Sequence, residues 1–204
     1  ELNSNSYLSY IILHQPSFLF NYTNIGYQSY YIDNQSVNLM KELLFDVHRI
    51  GNIKNNVEVT EPLIRNADIV TIDTSAFCAA DAPGVKYNSP NGFSSEDGCK
   101  MTRYAGLNPK LTSIGFFEYN PSCDVNDITA NTISQMIWYF IEGFSLRMDD
   151  YPTQNSKDFK RYNVRLEDVS DDIVFLCHKI SGKWWMDLSF KSKDKDKFER
   201  HHYI

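Results

Sequence analysis

Two apolar runs of strand type, each ending in a polar cluster, constrain this chain more than any other feature. The first lies in residues 67–92, ADIVTIDTSAFCAADAPGVKYNSPNG, and the second in residues 113–124, SIGFFEYNPSCD. Ile69, Val70, Thr71 and Ile72 are all β-branched, a choice that suits a pleated strand. A helix-like segment separates the two runs, as a parallel strand pair requires. In an open parallel α/β sheet, ligands sit beyond the carboxyl ends of the strands. Asp73 and Glu118, the acids that close the two runs, therefore mark where chemistry is expected.

The residues around those acids are specific. Asp73-Thr74-Ser75-Ala76-Phe77-Cys78-Ala79-Ala80-Asp81-Ala82-Pro83-Gly84 resembles a motif of the ureohydrolase family, which includes arginase, agmatinase and formimidoylglutamase. In that family the first strand ends in D-x-D-x-x-D-P-x-x-A-P-G, and its first two Asp bridge a pair of manganese ions. Asp73 and Ala82-Pro83-Gly84 match the pattern, Ser75 stands in place of the second metal-binding Asp, and Cys78-Ala79 replaces Asp-Pro. The second strand of the family ends in Glu-x-Asn-Pro, whose Glu holds the guanidinium or imidoyl end of the substrate. Glu118-Tyr119-Asn120-Pro121 matches it. The resemblance covers residues 24–147 and implies a three-layer α/β domain with a mostly parallel sheet, of which this chain would be the C-terminal two-thirds. It assigns substrate binding to Glu118 and a vestigial metal position to Asp73, and names no catalytic residue.

Replacing Asp by Ser at position 75 has a physical meaning. Two divalent cations held close together need several carboxylates to offset their repulsion and to bridge them. A neutral hydroxyl does neither. The other metal ligands of the family lie in Gly-Gly-His and Asp-x-His-x-Asp turns, and neither occurs in these residues. Asp46-Val47-His48-Arg49-Ile50 lacks the final acid and reads as a short strand ending near a histidine. His14 reads as an ordinary helix-terminal histidine. Asp73 has a second reading as a cap or loop anchor. Glu118 has one as a partner of backbone donors or of Arg103.

With 204 residues the chain holds one domain with a real core. Its hydrophobic share of 42% separates it from disordered chains. A net charge of −6 argues against a nucleic-acid partner. No apolar run is long enough to span a bilayer, so no membrane partner is expected. Cys78, Cys99, Cys123 and Cys177 show neither zinc spacing nor disulfide density, which fits a reducing, cytoplasmic setting. Cys78, at a strand-end loop, reads as an inert thiol before it reads as a nucleophile.

In chain order, residues 6–15, 36–44, 57–66, 94–105 and 127–146 have helical patterns, and residues 18–28, 45–50 and 111–117 have strand patterns. Ser36 or Asn34 is expected to cap the second helix. Ser94 and Asp97 form a capping box for the fourth, which is expected to stop at Gly106. Residues 78–93, with Pro83, Pro90 and the turn pair Asn91-Gly92, form a long loop of the kind that carries function. Ile128, Ile133, Met136, Ile137, Phe140, Ile141 and Phe144 recur at helical spacing and are expected to face the core. Tyr7, Tyr10, Tyr22, Tyr30 and Tyr31 are expected to pack the core and its rim.

Residues 1–150 are thus read as the arginase-like portion and 151–204 as an extension. The extension would hold strands at 162–168 and 173–180, a β-hairpin from 173–180 through Ser181-Gly182 to 183–190, and a solvated charged run at 191–197. One of Trp184 and Trp185 would be exposed at a hairpin edge, where it is a candidate site for a protein partner. The resemblance implies a homo-oligomer. The function expected is a non-catalytic binding or assembly module without a cofactor. The alternative is a manganese-dependent C–N hydrolase of a guanidino or formimidoyl substrate.

Overall fold

The computed structural model describes residues 7–152, 157–165, 173–189 and 199–203. Helices and strands alternate up to Ser145, and four strands follow. Helix α1 (Tyr7–Leu13) precedes β1 (Thr23–Tyr27). Helix α2 (Asn34–Glu42) crosses to β2 (Asp46–Arg49), which is parallel to β1. Next come α3 (Ile50–Lys54), a 3-10 turn (Val57–Val59) and α4 (Thr60–Ile64), which lead into β3 (Ile69–Asp73). Helix α5 (Ser95–Leu107) then crosses to β4 (Ser113–Phe117), which is parallel to β3 with Asp73 opposite Phe117. Helix α6 (Ile128–Ser145) packs back against α5. The expected α/β class with parallel strands is what forms. Among the described residues the parallel strands make two separate pairs, β1–β2 and β3–β4.

Local chemistry explains most element ends. The cap of α2 is Asp33 rather than Asn34 or Ser36. Its carboxylate accepts from the Ser36 N–H at 2.7 Å and from the Ser36 hydroxyl at 2.9 Å. That satisfies an orphan donor of the first turn. At α5 the expected capping box is present: Ser94 Oγ accepts from the Asp97 N–H, and the Asp97 carboxylate accepts from the Ser94 N–H. The strand expected over 18–28 shortens to Thr23–Tyr27.

Gly106 does not end α5, which runs on to Leu107 with Asn108 as its C-cap. Gly106 is there for close approach. A Cβ at this position would sit 2.2 Å from the Phe140 carbonyl oxygen, and one at Gly143 would sit 2.3 Å from the Arg103 carbonyl oxygen. The two glycines let the backbones of α5 and α6 nearly touch. Asn108 is buried and fully used: its Nδ2 donates to the carbonyls of Ile64 and Ala67, and its Oδ1 accepts from the Lys110 N–H.

The main core joins Ile50 and Ile53 of α3, Phe77 and Phe93 from the long loop, Cys99 of α5 and Met136 of α6. Phe116 and Ile72 pack on it from the strands. Helix α6 departs from its expected orientation. Met136 is fully buried, but its neighbours in the core are Thr129, Thr132 and Gly143, while Ile128, Ile137, Ile141 and Phe144 are exposed. Small residues win the packed face because α5 approaches too closely for larger ones. Ile133 and Phe140 keep partial contact with the core. Tyr7, Tyr10, Tyr30 and Tyr31 also lie exposed rather than in the core.

The C-terminal segment is larger than a hairpin. It is a four-stranded antiparallel sheet in the order β5 (Phe159–Val164), β6 (Ile173–His178), β7 (Trp184–Ser189) and β8 (Glu199–Tyr203). The expected hairpin is its β6–β7 pair, with Val174 opposite Asp187. The charged run 191–197 lies outside the described residues. Trp185 is buried, edge-on to Phe159, while Trp184 stays partly exposed beside Tyr162. The Arg65 guanidinium, at the end of α4, stacks over the Trp185 ring at 4.9 Å and donates to the Trp184 carbonyl at 2.9 Å. Glu61 pairs with Arg65, and Lys183 bridges Glu61 and Asp150. These two acids and two bases pin the added sheet to α4. Among the described residues no helix is long and apolar enough to cross a membrane.

A methyl group at Gly143 must push the Arg103 backbone away, and the neighbouring carbonyl is not a flexible side-chain end. Gly143→Ala is expected to destabilise the fold by about 1–3 kcal/mol, the usual cost of overpacking. Thermal unfolding followed by circular dichroism checks this: an unchanged midpoint would contradict the close crossing.

Candidate strand-end site

Asp73 and Glu118 stand at the same end of one strand pair, as the topology demands. They close neighbouring parallel strands, with Phe117 opposite Asp73 and Glu118 the next residue. Thr74, itself buried, ties the two strand ends together by donating its hydroxyl to the Phe117 carbonyl at 2.8 Å. Both carboxylates lie on the exposed side. Glu118 holds a left-handed backbone with φ of 63°. That conformation is uncommon for a residue with a Cβ and is a mark of a constrained site. Arg103 does not pair with Glu118. Its Nε is bound to Glu142 at 2.7 Å.

Asp73 acts as a cap. Its Oδ1 accepts from the Ser75 N–H at 2.8 Å and from the Ser75 hydroxyl at 2.6 Å, which fixes the 3-10 turn Thr74–Ala76. Ser75 thus donates to the carboxylate beside it, where a metal bridge needs a second negative acceptor. The Tyr7 phenol is held above its ordinary value by partial desolvation, with the charges of Tyr22 and Asp73 adding to the effect.

The described residues do not fit a two-metal centre. Among the described residues there is no group of three or more His, Cys, Asp or Glu side chains placed to hold an ion. His48 lies within β2, not at a shared cluster, and its Nε2 is buried without a hydrogen-bond partner. His14 stays exposed beside the Pro16 carbonyl. Cys78 opens a tight turn: its carbonyl accepts from the N–H groups of Asp81 and Ala82, and its own N–H donates to the Phe93 carbonyl.

The Ala82-Pro83-Gly84 segment has a mechanical task. The Gly84 N–H donates to Thr129 Oγ1 at 2.7 Å, and its carbonyl accepts from the Asn120 N–H at 2.7 Å. A Cβ at Gly84 would meet Asp124 at 2.8 Å. Thr132 donates to the Asp81 carbonyl, and the Asp81 carboxylate accepts from the Ser95 N–H. Asp124 completes the junction by accepting from the N–H groups of Thr129 and Ala130, one at each carboxylate oxygen. It replaces Asp127, whose left-handed backbone leaves it without a side-chain capping bond. Desolvation alone would raise the Asp124 carboxyl. The Thr129 and Ala130 N–H donors, with the Thr129 hydroxyl and Tyr119, outweigh it and hold the carboxyl below its usual range.

The sequence model of the arginase family matches residues 3–142, more than half of the chain. The protein belongs to the arginase family. A search of curated proteins gives no match. Among solved structures, the chain is similar to the formiminoglutamase of Trypanosoma cruzi with Mn2+. The identity is 18% and the TM-score 0.57, over 61% of this chain and 44% of that one. It is also similar to the arginase of Bacillus caldovelox, with 20% identity and a TM-score of 0.51 over 57% and 41%. A third neighbour is the formimidoylglutamase of Bacillus subtilis, with 18% identity and a TM-score of 0.50 over 60% and 41%. At these identities the likeness shows the fold. The alignments span less than half of each neighbour's length, below the two-thirds expected from sequence.

The depressed Asp124 carboxyl gives a pH-dependent prediction. A group whose folded value lies below its unfolded one stabilises the fold above the ordinary carboxylate value of about 4 and ceases to do so in more acid solution. Asp124→Asn removes the charge and one of the two acceptor oxygens at the helix start, and is therefore expected to lose about 0.3–1 kcal/mol at neutral pH. The gap from wild type should close as the pH falls below that range. Urea unfolding at several pH values checks it, and a gap independent of pH would contradict the charge-assisted cap.

Proposed function

We propose that this chain serves as a binding or assembly module of the arginase family rather than as a manganese hydrolase. The observation that carries the reading is the Ser75 hydroxyl donating to Asp73 at 2.6 Å. The position that would supply bridging charge supplies a donor instead, and it occupies the one strand-end acid beside it. What remains at the strand ends is an exposed, singly capped acid, Asp73, next to a second exposed acid, Glu118. Two carboxylates at the mouth of a strand pair suit a cationic group: an amidine, a guanidinium or a lysine or arginine side chain of a partner. Glu118 is assigned to that contact, and Asp73 supports it.

The second reading is a C–N hydrolase acting on a formimidoyl or guanidino substrate. The left-handed Glu118 backbone favours it, because strain of that kind clusters at binding and catalytic positions. In that reading manganese would be the cofactor. The described residues do not supply its ligand set, so no chemical step is assigned to it.

Assays with formimidoylglutamate, arginine and agmatine in the presence of manganese separate the two. The module reading expects no hydrolysis by the wild type. Turnover at rates ordinary for enzymes, about 1–1,000 per second, would overturn it. Ser75→Asp restores one acid and is expected to remain inactive, since the other ligands are still missing.

A further inference from the structure

The sheet added after α6 is apolar on both faces. Strand β6 reads Ile173-Val174-Phe175-Leu176-Cys177-His178, with no Asp, Glu, Lys or Arg on either alternation. An antiparallel sheet with one wet face alternates apolar with polar residues, so a run of this kind calls for cover on both sides. The register sorts the two faces. Leu176 and His178 share one with Trp185 and Phe159, and that face is turned to α4, where Arg65 stacks on Trp185. The other face holds Tyr162, Phe175 and Trp184, interleaved with Val164, Ile173 and Met186. Tyr162, Val164 and Trp184 on it are 43%, 40% and 37% exposed. The other three are half-buried.

We propose that this outward face is the docking surface for an acidic amphipathic helix of another polypeptide. Width is the first reason. Strands β5 to β7 span about 10 Å, two steps of ~4.8 Å, which matches the diameter of one helix. The second is the backbone: β6 and β7 are paired on both sides, so an extended segment finds no free edge on this face. A helix needs none, and helix on sheet is a standard way to cover such a layer.

Charge supplies the third reason. Lys160 lies on the same face, opposite Cys177, with Lys157 and Lys179 near that end and Arg165 at the other. Among the described residues no acid is ion-paired with any of these four. Residues 1–150 hold nine Lys and Arg against seventeen Asp and Glu, whereas residues 151–204 hold eleven against nine. The extension is the cationic part of an anionic protein, so an acidic partner is drawn to it and repelled elsewhere. Aromatic rings among cations also suit a single nucleic-acid strand. Here Val164, Ile173 and Met186 offer no stacking surface, and a net charge of −6 opposes phosphate. The proposal is independent of what the strand ends bind.

The probe is a synthetic helical peptide of Leu and Glu with one apolar stripe, about five turns long. Its twin carries Lys in place of every Glu. In calorimetric titration the acidic peptide should bind with a Kd of about 10–100 µM, weakened ~5-fold or more by Lys160→Glu and by Trp184→Ala. Ile141→Ser, on the exposed side of α6, should leave binding unchanged. A second measurement uses the unsubstituted protein. Cys177 lies on the proposed surface opposite Trp184, and Cys123 is exposed beyond β4. Saturating acidic peptide should slow alkylation of Cys177 by iodoacetamide, read by mass spectrometry, and leave Cys123 unaffected. No binding of the acidic peptide, equal binding of the lysine twin, tighter binding of oligo(dT), loss of binding in Ile141→Ser, or no protection at Cys177 would overturn the proposal.

Discussion

The constraint on which both strand ends depend is the junction where residues 81–84 are held against the first turn of α6. Asp124 caps the helix with both carboxylate oxygens, Thr129 receives the Gly84 N–H, and Thr132 reaches the Asp81 carbonyl. Asn120, just beyond β4, closes the circuit by donating to the Gly84 carbonyl. One knot thus joins the loop after β3, the end of β4 and the start of α6. It sets the direction in which the chain leaves both strands, and so fixes where Asp73 and Glu118 stand. Gly84 is required because Asp124 and Thr129 fill the space a side chain would need.

This gives the arginase-like signature a mechanical cause that does not depend on metal chemistry. Ala82-Pro83-Gly84 and Glu118-Tyr119-Asn120-Pro121 touch through a backbone bond, from the Asn120 N–H to the Gly84 carbonyl, that needs no acid of a metal centre. The frame and the chemistry of a ureohydrolase site are separable in physical terms. Buried backbone groups must be paired whatever the site binds, whereas a bridging carboxylate matters only when cations are present. A similar economy holds at the added sheet. Glu61, Arg65, Lys183 and Asp150 balance charge for charge, so the sheet is docked without leaving a buried charge unpaired.

The parallel α/β frame was readable from β-branched runs and helix caps, and the family from two motifs. Asp73 as a loop anchor was also readable, since a carboxylate two residues before Ser can accept from its N–H. The burial of α6 was misread for a physical reason. Periodicity finds an apolar stripe but cannot tell which side faces a neighbour, and the crossing at Gly106 and Gly143 turned the small-residue side inward. Arg65 over Trp185 depends on a contact across a long stretch of chain that no local pattern encodes, whereas Asp124 as the working cap lies only five residues before Thr129 and was within local reach. The four-stranded sheet exceeded the expected hairpin because β8 returns only after the charged run.

We propose that the carboxyl ends of β3 and β4, closed by hydrogen bonds, hold no manganese pair. The direct test is elemental analysis of the protein purified with manganese supplied, after gel filtration into metal-free buffer. The account predicts a manganese content indistinguishable from that of an Asp73→Asn protein treated in the same way. Close to two equivalents per chain, lost on the Asp73→Asn substitution, would contradict it, because a carboxylate capped by Ser75 could not then be the state the protein adopts in solution.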